Sequence, residues 1–516
     1  MNLRIRHGKD YYTNPIKCQE VPVPAENDSM RSLHQADVSR GEIRLALCLL
    51  SLYLLFLPAD PLTSPDEEIL LRTAVSLMQG NRGAVPPLPM GFATKTGQDG
   101  HEYPQYGLGL PLAGSMVLYL PWLALDSSNS FEVVNLRAFR LCAVFVNILI
   151  TIGMVLILRR ILARLGLGLR ESLLAGLVFG VATVAWTHGR TFFTEPLAGL
   201  CVLGSLAVLR QADQDSALSV RRLLLSGLIF AWGILTRLDT LVAGAAFAWE
   251  SGRNTRTAGD LAKRWFLAGV PVLAALACLA GYNVYRFGSV VSTGYEDQAE
   301  GVQFATPLLI GLHGFLFTPG RSLFVFSPIL LLAIPGVRAL WRRDRRFAVT
   351  AFLVVGGYLA VMSKWQNWAG GSDWGPRHIF QITPWLALAG SVYWFERKRT
   401  GTWIWLLLAV SVGMQILGLL TDAVLVIREA GLDLNPIAKQ MSVYEPSRSV
   451  PVLHFEWLLS HSPNLLLIDM ARQGSCWVAL FLVPITLFAV SSWRLVTQLR
   501  EGTIAERTTS PESGEN

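Results

Sequence analysis

Charge is what this sequence has least of: Asp, Glu, Lys and Arg make up 16% of its 516 residues, where a soluble domain carries roughly 25%. With 52% hydrophobic residues beside that figure, a soluble enzyme is excluded. No Walker loop, GxGxxG fingerprint, HExxH or GxSxG is present, so chemistry powered by a bound nucleotide is not expected. The six cysteines, Cys18, Cys48, Cys142, Cys201, Cys278 and Cys476, fall nearly all inside apolar runs with no CxxC or CxxH among them, which leaves neither a zinc site nor a disulfide framework. No repeat of 20 to 50 residues is visible, which excludes a solenoid or propeller. A cleavable leader would begin almost at once, whereas the first apolar run starts near Arg44. Residues 1–43 are therefore expected to be a retained, cytosolic, disordered tail, and 496–516 a second one.

What the sequence has instead is apolar runs near the ~20 residues that cross a bilayer. They start at about Arg44, Arg137, Glu171, Glu195, Arg222, Leu238, Trp265, Leu323, Phe347, Ile382, Thr402 and Trp477. Twelve spans in one membrane domain, 44–495, give an all-α polytopic protein. Basic loops stay cytoplasmic, and four of them orient the set: Arg159, Arg160, Arg164 and Arg170; Arg253, Arg256, Lys263 and Arg264; Arg342, Arg343, Arg345 and Arg346; Arg397, Lys398 and Arg399. These loops account for the formal net charge of +7, so nucleic acid is not an expected partner. A thirteenth apolar stretch, 107–125, carries Gly107, Gly109, Pro111, Gly114 and Pro121. It reads as a juxtamembrane helix within a large first outer loop, 58–136.

The unusual residues gather in loops that this topology turns outward. Ser64-Pro65-Asp66-Glu67-Glu68 follows the first span; it reads equally as a capped helix start and as a carboxylate poised as general base toward a hydroxyl. Lys364 to His378 holds Trp368, a Gly-Gly turn, Asp373, Trp374 and Gly-Pro-Arg377. An aromatic belt explains its tryptophans only; glycines admit a close ligand, Trp faces suit sugars, and Arg377 suits phosphate oxygens. Tyr282 to Tyr295-Glu296 and Pro319-Gly320-Arg321 share another outer loop, where Arg321 is either a snorkelling anchor or, with Arg377, a phosphate clamp. His188-Gly189-Arg190 to Glu195 and Arg237-Leu238-Asp239 form outward turns. Ionisable residues beside membrane segments are functional candidates, against the alternative of Arg237–Asp239 or Arg190–Glu195 ion pairs. His188 and Glu195 supply two metal ligands without a third. His101-Glu102-Tyr103-Pro104-Gln105-Tyr106 either lines the same cleft or is an ordinary interfacial loop.

In this order the motifs resemble the GT-C class of membrane glycosyltransferases, and are similar to bacterial relatives of protein O-mannosyltransferases and aminoarabinose transferases. The resemblance spans roughly 44–400 through Asp66-Glu67, Tyr103 to Pro111, Phe193 to Pro196, Leu235 to Asp239, Asn283 to Tyr295, Pro319 to Pro328 and Trp368 to Arg377. It implies a polyprenyl-monophosphate sugar donor and direct displacement with inversion at the anomeric carbon. Asp66 would then be the base and Glu67 would orient acceptor or donor sugar. Arg237, Arg321 and Arg377, with Lys364, would hold the leaving phosphate. His101, Glu102, Tyr103, His188, Arg190, Glu195, Asp239, Tyr295, Trp368, Trp374 and His378 are the substrate-binding candidates. The family tends to carry a Lys where this chain has Gln105; Lys95 or Lys364 are the candidate substitutes. The implied partners are a polyprenyl-phosphate-linked sugar, a glycan, lipid or protein acceptor, and membrane lipids. No cofactor is expected, with a divalent metal left open, and the expected place is a bacterial inner membrane with the site facing outward. Residues 422–474 match nothing in the family and are candidates for acceptor specificity.

Two other readings fit the span count. A transporter or lipid flippase would place its charged or broken-helix site near the bilayer midplane, whereas here the ionisable clusters sit at the outer ends of spans. A non-catalytic scaffold would make Asp66 and Arg377 replaceable.

Overall fold

The structure, a computed structural model, describes residues 28–87, 93–126, 130–210, 219–295, 304–371, 373–397, 400–432 and 436–509. Of the positions named above, Cys18, Glu296, Lys398 and Arg399 lie outside them, as do 1–27 and 510–516 of the expected tails. The described chain is helical almost throughout. In order, it forms α1 (Asp28–Leu55), α2 (Pro65–Met78), α3 (Gly109–Leu125), α4 (Arg137–Arg164), α5 (Leu169–Ala182), α6 (Val184–His188), α7 (Glu195–Leu209), α8 (Val220–Thr236), α9 (Gly244–Ser251) and α10 (Ala258–Phe287). It continues with α11 (Leu308–Phe317), α12 (Leu323–Phe326), α13 (Ala333–Arg343), α14 (Arg345–Met362), α15 (Thr383–Phe395) and α16 (Thr402–Leu420). Five further helices close it: α17 (Ala423–Glu429), α18 (Pro436–Tyr444), α19 (Val450–Ser460), α20 (Leu466–Arg472) and α21 (Leu482–Thr509). Between α2 and α3 a short antiparallel hairpin pairs β1 (Thr94–Thr96) with β2 (Glu102–Pro104), Lys95 opposite Tyr103. Because α1 starts at Asp28 and α21 ends at Thr509, helix extends into both segments expected to be disordered.

Five helical stretches are long and apolar enough to cross a membrane: Arg137–Arg164, Ala258–Phe287, Arg345–Met362, Thr402–Leu420 and Cys476–Arg500. They coincide with five of the twelve apolar runs, and the protein is an integral membrane protein. Of the other seven runs, the one at Arg44 is the C-terminal part of the 28-residue α1, and six end up as shorter or interrupted helices. α7 has 15 residues and α8 has 17, roughly 23 and 26 Å of rise at 1.5 Å per residue. The Leu238 run is a 3-10 turn, Leu238–Ala243, leading into α9. The Leu323 run breaks at Pro328, where Pro328–Leu332 is 3-10. The reason is local: proline lacks the donor that an uninterrupted helix needs, and irregular backbone is tolerated at membrane depth where other helices cover it.

Two ends of the bundle are held by charge. At one end, Glu42 takes Arg159 and Arg160, Arg210 takes Glu250 and Asp344, and Arg343 reaches Glu396 and the Gly166 carbonyl. Three of the basic loops read from the sequence, those around Arg159, Arg342 and Arg397, meet there. α7 runs from that end, at Leu209, to Glu195 at the other, where the outward-assigned motifs collect. Between the ends the helices pack on small residues, so backbones approach closely without a hydrophobic driving force from lipid. Gly227 of α8 faces the Ala268 carbonyl of α10, and a Cβ there would stand 2.3 Å from that oxygen; Gly336 of α13 faces Ala389 of α15 at the same 2.3 Å.

Gly336→Ala is therefore expected to force α13 and α15 apart and to destabilise the protein in detergent by about 1–3 kcal/mol, the usual cost of overpacking. Gly413→Ala, with nothing within 4 Å of its new Cβ, is expected to be neutral or slightly stabilising. Thermal unfolding of the two purified variants checks the contrast; equal midpoints would refute the packing account.

Candidate active site

The site begins at the start of α2. Ser64 is its N-cap and Pro65 its first residue, so Asp66 and Glu67 fall in the first turn, where the helix dipole favours negative charge. Successive residues on a helix project about 100° apart, and the two carboxylates accordingly do different things. Glu67 turns inward: it accepts from the Ser64 amide (3.3 Å), closing half of a capping box, and from the Phe192 amide (2.8 Å). Only 5% exposed, it ties α2 to the turn before α7. Burial pushes its carboxyl up to about 7, the two amide bonds pulling the other way. The capping role weighed for this motif thus belongs to Glu67, which faces no open space for an acceptor.

Asp66 turns toward the bundle. One oxygen accepts from the Tyr106 hydroxyl at 2.6 Å and the other from Arg377 Nη2 at 2.6 Å. Arg377 follows the Gly375-Pro376 turn and opens the 3-10 segment Arg377–Ile382 ahead of α15. Its Nε lies 3.3 Å from Asp373 and 3.6 Å from Glu195, and its guanidinium covers the face of Phe193 at 4.6 Å. Glu195, first residue of α7, takes Arg237 Nη1 at 2.7 Å. Arg237, just past the end of α8, is gripped by both oxygens of Asp239. Tyr295 meets Tyr106 edge-on, ring centroids 6.2 Å apart. Four separate chain segments are thereby joined through one chain of alternating charges, with Tyr106 and Tyr295 beside it.

Arg321 occupies a different position in the same network. It binds Asp373 at 3.1 Å and the carbonyls of Gly371, Asp373 and Gly375, which uses both terminal nitrogens to shape the 371–375 turn. At 3% exposure, against 12% for Arg377, it is a brace for the turn that presents Arg377. His378 sits behind, against Trp365 at 4.5 Å; burial and then the guanidiniums of Arg377, Arg237 and Arg321 hold its imidazole well below the usual range. His188 is buried beside Phe380, with its imidazole lowered chiefly by burial. Both rings are neutral at ordinary pH.

Several sequence candidates lie elsewhere. Arg190 donates to the carbonyls of Phe56, Gly418 and Leu419, lashing the end of α1 to the end of α16; the Arg190–Glu195 ion pair does not form, while the Arg237–Asp239 pair does. Trp368 packs into Phe315 and Trp374 into Phe326 and His454. At 8% and 6% exposure neither offers a free face to a sugar. Lys364 is exposed at the end of α14 and makes no bond to the network. Lys95 lies over the Phe287 ring, near Ser292, and Gln105 is buried. His101, Glu102 and Tyr103 line a separate open cavity of about 720 Å³ with Arg82, Asp99 and Tyr285; there Tyr103 donates to Asp99 at 2.7 Å and Glu102 accepts from Thr96 at 2.5 Å. Among the described residues no three of His, Cys, Asp and Glu are grouped to hold a metal ion.

Two members of the network, Tyr106 and Asp373, were named only within their motifs and given no role of their own. Tyr106 stands three residues past Tyr103 at the exit of the hairpin, and Asp373 four before Arg377. That spacing within Asp-Trp-Gly-Pro-Arg was the available signal for an acid facing the arginine. The described residues of 422–474 form α17 to α20 and turns against this end: Asp422 caps α17 while accepting from Thr63, Asn464 accepts from the Asp60 amide, and Leu466 donates to Leu57.

No family model and no curated protein matches the chain. Among solved structures it is similar to the archaeal oligosaccharyltransferase AglB from Archaeoglobus fulgidus in complex with an inhibitory peptide and a dolichol-phosphate, at 10% identity and TM-score 0.47 over 81% of this chain and 61% of that one. The chain thus spans about three fifths of the archaeal protein's length. It is also similar to ArnT from Cupriavidus metallidurans bound to undecaprenyl phosphate, at 15% identity and TM-score 0.46 over 90% of this chain and 77% of that one. Both likenesses are loose ones of overall helix arrangement.

The elevated Glu67 carboxyl has a measurable consequence. Its folded-state value, about 7, exceeds the ordinary 4.5, so the folded protein holds a proton that the unfolded chain has lost between those values. The contribution of Glu67 to stability is then fully present below about 4.5 and is lost as pH rises through about 7, by up to about 3 kcal/mol at 1.36 kcal/mol per unit. Glu67→Gln is expected to flatten that part of the profile; thermal unfolding of both proteins across the window, with parallel curves as the refuting result, checks it.

Proposed function

We propose that the protein is a membrane glycosyltransferase that moves a hexosyl or pentosyl unit from a polyprenyl-monophosphate carrier to an acceptor hydroxyl, with inversion at the anomeric carbon. The observation that carries this reading is the Asp66 carboxylate, held between Tyr106 and Arg377 at one end of the helical bundle, with Arg237 one carboxylate away. An acid able to take a proton and a fork able to hold a phosphate stand side by side. In the proposed step the acceptor oxygen attacks the anomeric carbon, its proton passes to Asp66, and the bond to the phosphate oxygen breaks with its electron pair left on the phosphate. The charge developing there is held by Arg377, assisted by Arg237, in surroundings of low dielectric where such stabilisation is strong.

Twelve passages through a bacterial inner membrane fit this reading, five by the long apolar helices and seven by the end of α1 and the shorter or broken helices. They put the basic loops in the cytoplasm and the network at the outer face, with α3 lying along the surface. The acceptor, a glycan, lipid or protein, would approach beside 422–474, since that segment is bonded to the loop that leads into α2. The position of the ionisable groups, at helix ends, favours surface chemistry over passage.

Radiolabelled transfer from polyprenyl-phosphate sugars, in membranes carrying equal amounts of wild type or Asp66→Asn, tests the reading. Loss of a general base is expected to slow transfer by about 10²–10⁴-fold. Undiminished transfer in the variant would remove Asp66 from the mechanism, and no transfer by the wild type from any donor would favour a transporter.

A further inference from the structure

Every arginine nominated as a phosphate ligand is already satisfied by this chain's own carboxylates. Three guanidiniums, Arg237, Arg321 and Arg377, face four carboxylates, Asp66, Glu195, Asp239 and Asp373; the formal sum is 3 − 4 = −1. An anionic ligand entering such a cluster has to displace a carboxylate rather than fill a vacant positive site. The three arginines differ in which displacement is open to them. Arg321 is spent on three backbone carbonyls and Asp373 in the interior. Arg237 is gripped bidentately by Asp239, two residues along the chain, and also bonds Thr194 and Glu195. Arg377 holds Asp66 through one terminal nitrogen, while its Nε lies near Asp373 and Glu195 without a well-aligned hydrogen bond. The Asp66–Arg377 pair, its side chains 13% and 12% exposed, is also far more open than Arg321–Asp373 at 3% and 2%, and unlike the equally open Arg237–Asp239 pair it is held by a single terminal nitrogen. A phosphate offers Arg377 the same planar two-oxygen match as a carboxylate.

We infer that Asp66 is a built-in competitor for the donor phosphate: in the resting protein it occupies Arg377, and the lipid-linked phosphate must take its place there. This rests on the reading of the protein as a polyprenyl-phosphate-dependent transferase. The consequence is an order of events. While paired to a guanidinium at 2.6 Å, and accepting from Tyr106 as well, Asp66 has its proton-accepting oxygens engaged and is a poor base. Donor binding releases the oxygen on Arg377, so the base becomes competent only when the sugar is in place, and Tyr106 keeps the freed carboxylate close by. After transfer, Asp66 carries the acceptor's proton and the carrier phosphate has gained one negative charge, which balances the step. Loss of that proton to solvent restores the carboxylate, which competes for Arg377 again and helps expel the product phosphate.

Binding of undecaprenyl phosphate to the detergent-purified full chain separates the outcomes. Asp66→Asn keeps a partner for Tyr106 but removes the competing charge, and is expected to bind undecaprenyl phosphate about tenfold more tightly than wild type, the scale of one charge-assisted hydrogen bond, although its transfer activity falls. Arg377→Gln is expected to lose at least as much affinity, and Tyr106→Phe, which leaves the ion pair in place, to show no gain. Asp66→Ala repeats the measurement should the asparagine variant fold poorly, judged by its elution and unfolding midpoint. Equal or weaker binding by the folded Asp66 variants, with binding by wild type intact, overturns the competition alone. Absence of binding by wild type and every variant overturns the polyprenyl-phosphate reading and the competition with it.

Discussion

The pairing of arginine with carboxylate at one end of the bundle is the constraint on which the site depends. Charges brought out of water are tolerated only when each finds an opposite partner and its remaining hydrogen-bonding positions are filled. Here that requirement draws Asp66, Glu195, Arg237, Asp373 and Arg377 together from four parts of the chain, each at the end of a helix or in a turn between two. The helices are long and mostly apolar, and could slide against one another at little cost in lipid. The ion pairs at both ends, together with close glycine contacts in the middle, fix their relative height. A site assembled at helix ends inherits its geometry from that register.

The same network assigns different tasks to residues of the same type. Arg190, Arg321 and Arg377 all lie in outward-assigned loops, yet Arg190 lashes two helix ends through carbonyls and the buried Arg321 shapes a turn. Arg377 alone of the three holds the Asp66 carboxylate in the more open part of the network. Asp66 and Glu67 divide similarly. One step of helical rotation separates a carboxylate that caps and anchors from one that faces Tyr106 and Arg377. Around them, neutral imidazoles and buried tryptophans supply shape and low dielectric, which strengthens every charge interaction inside.

Fold class was legible because it follows from composition and period. Few charges, many apolar runs and no strand alternation leave helices packed in a membrane, and five runs appear as full-length spanning helices beginning within a few residues of the expected positions. The seven others were harder to read because the loss of a helical turn at Pro328, or the 3-10 entry to α9 and α15, depends on which neighbours cover the freed backbone groups.

For the site, the sequence by itself determined the participants' kinds and their side of the bundle: an acidic pair opening a helix after the first apolar run, arginines beside glycine turns, and basic loops set apart from both. Those properties are local, fixed by spacing, capping chemistry and charge sign. Tertiary structure alone decided who meets whom. That Asp66 faces Arg377 across 311 positions, that Tyr106 and Asp373 belong to the network, that Trp368 and Trp374 are core residues, and that His101, Glu102 and Tyr103 line a different cavity are all consequences of helix rotation and register. Those are set by packing and by the need to pair every buried charge, quantities that no single segment contains.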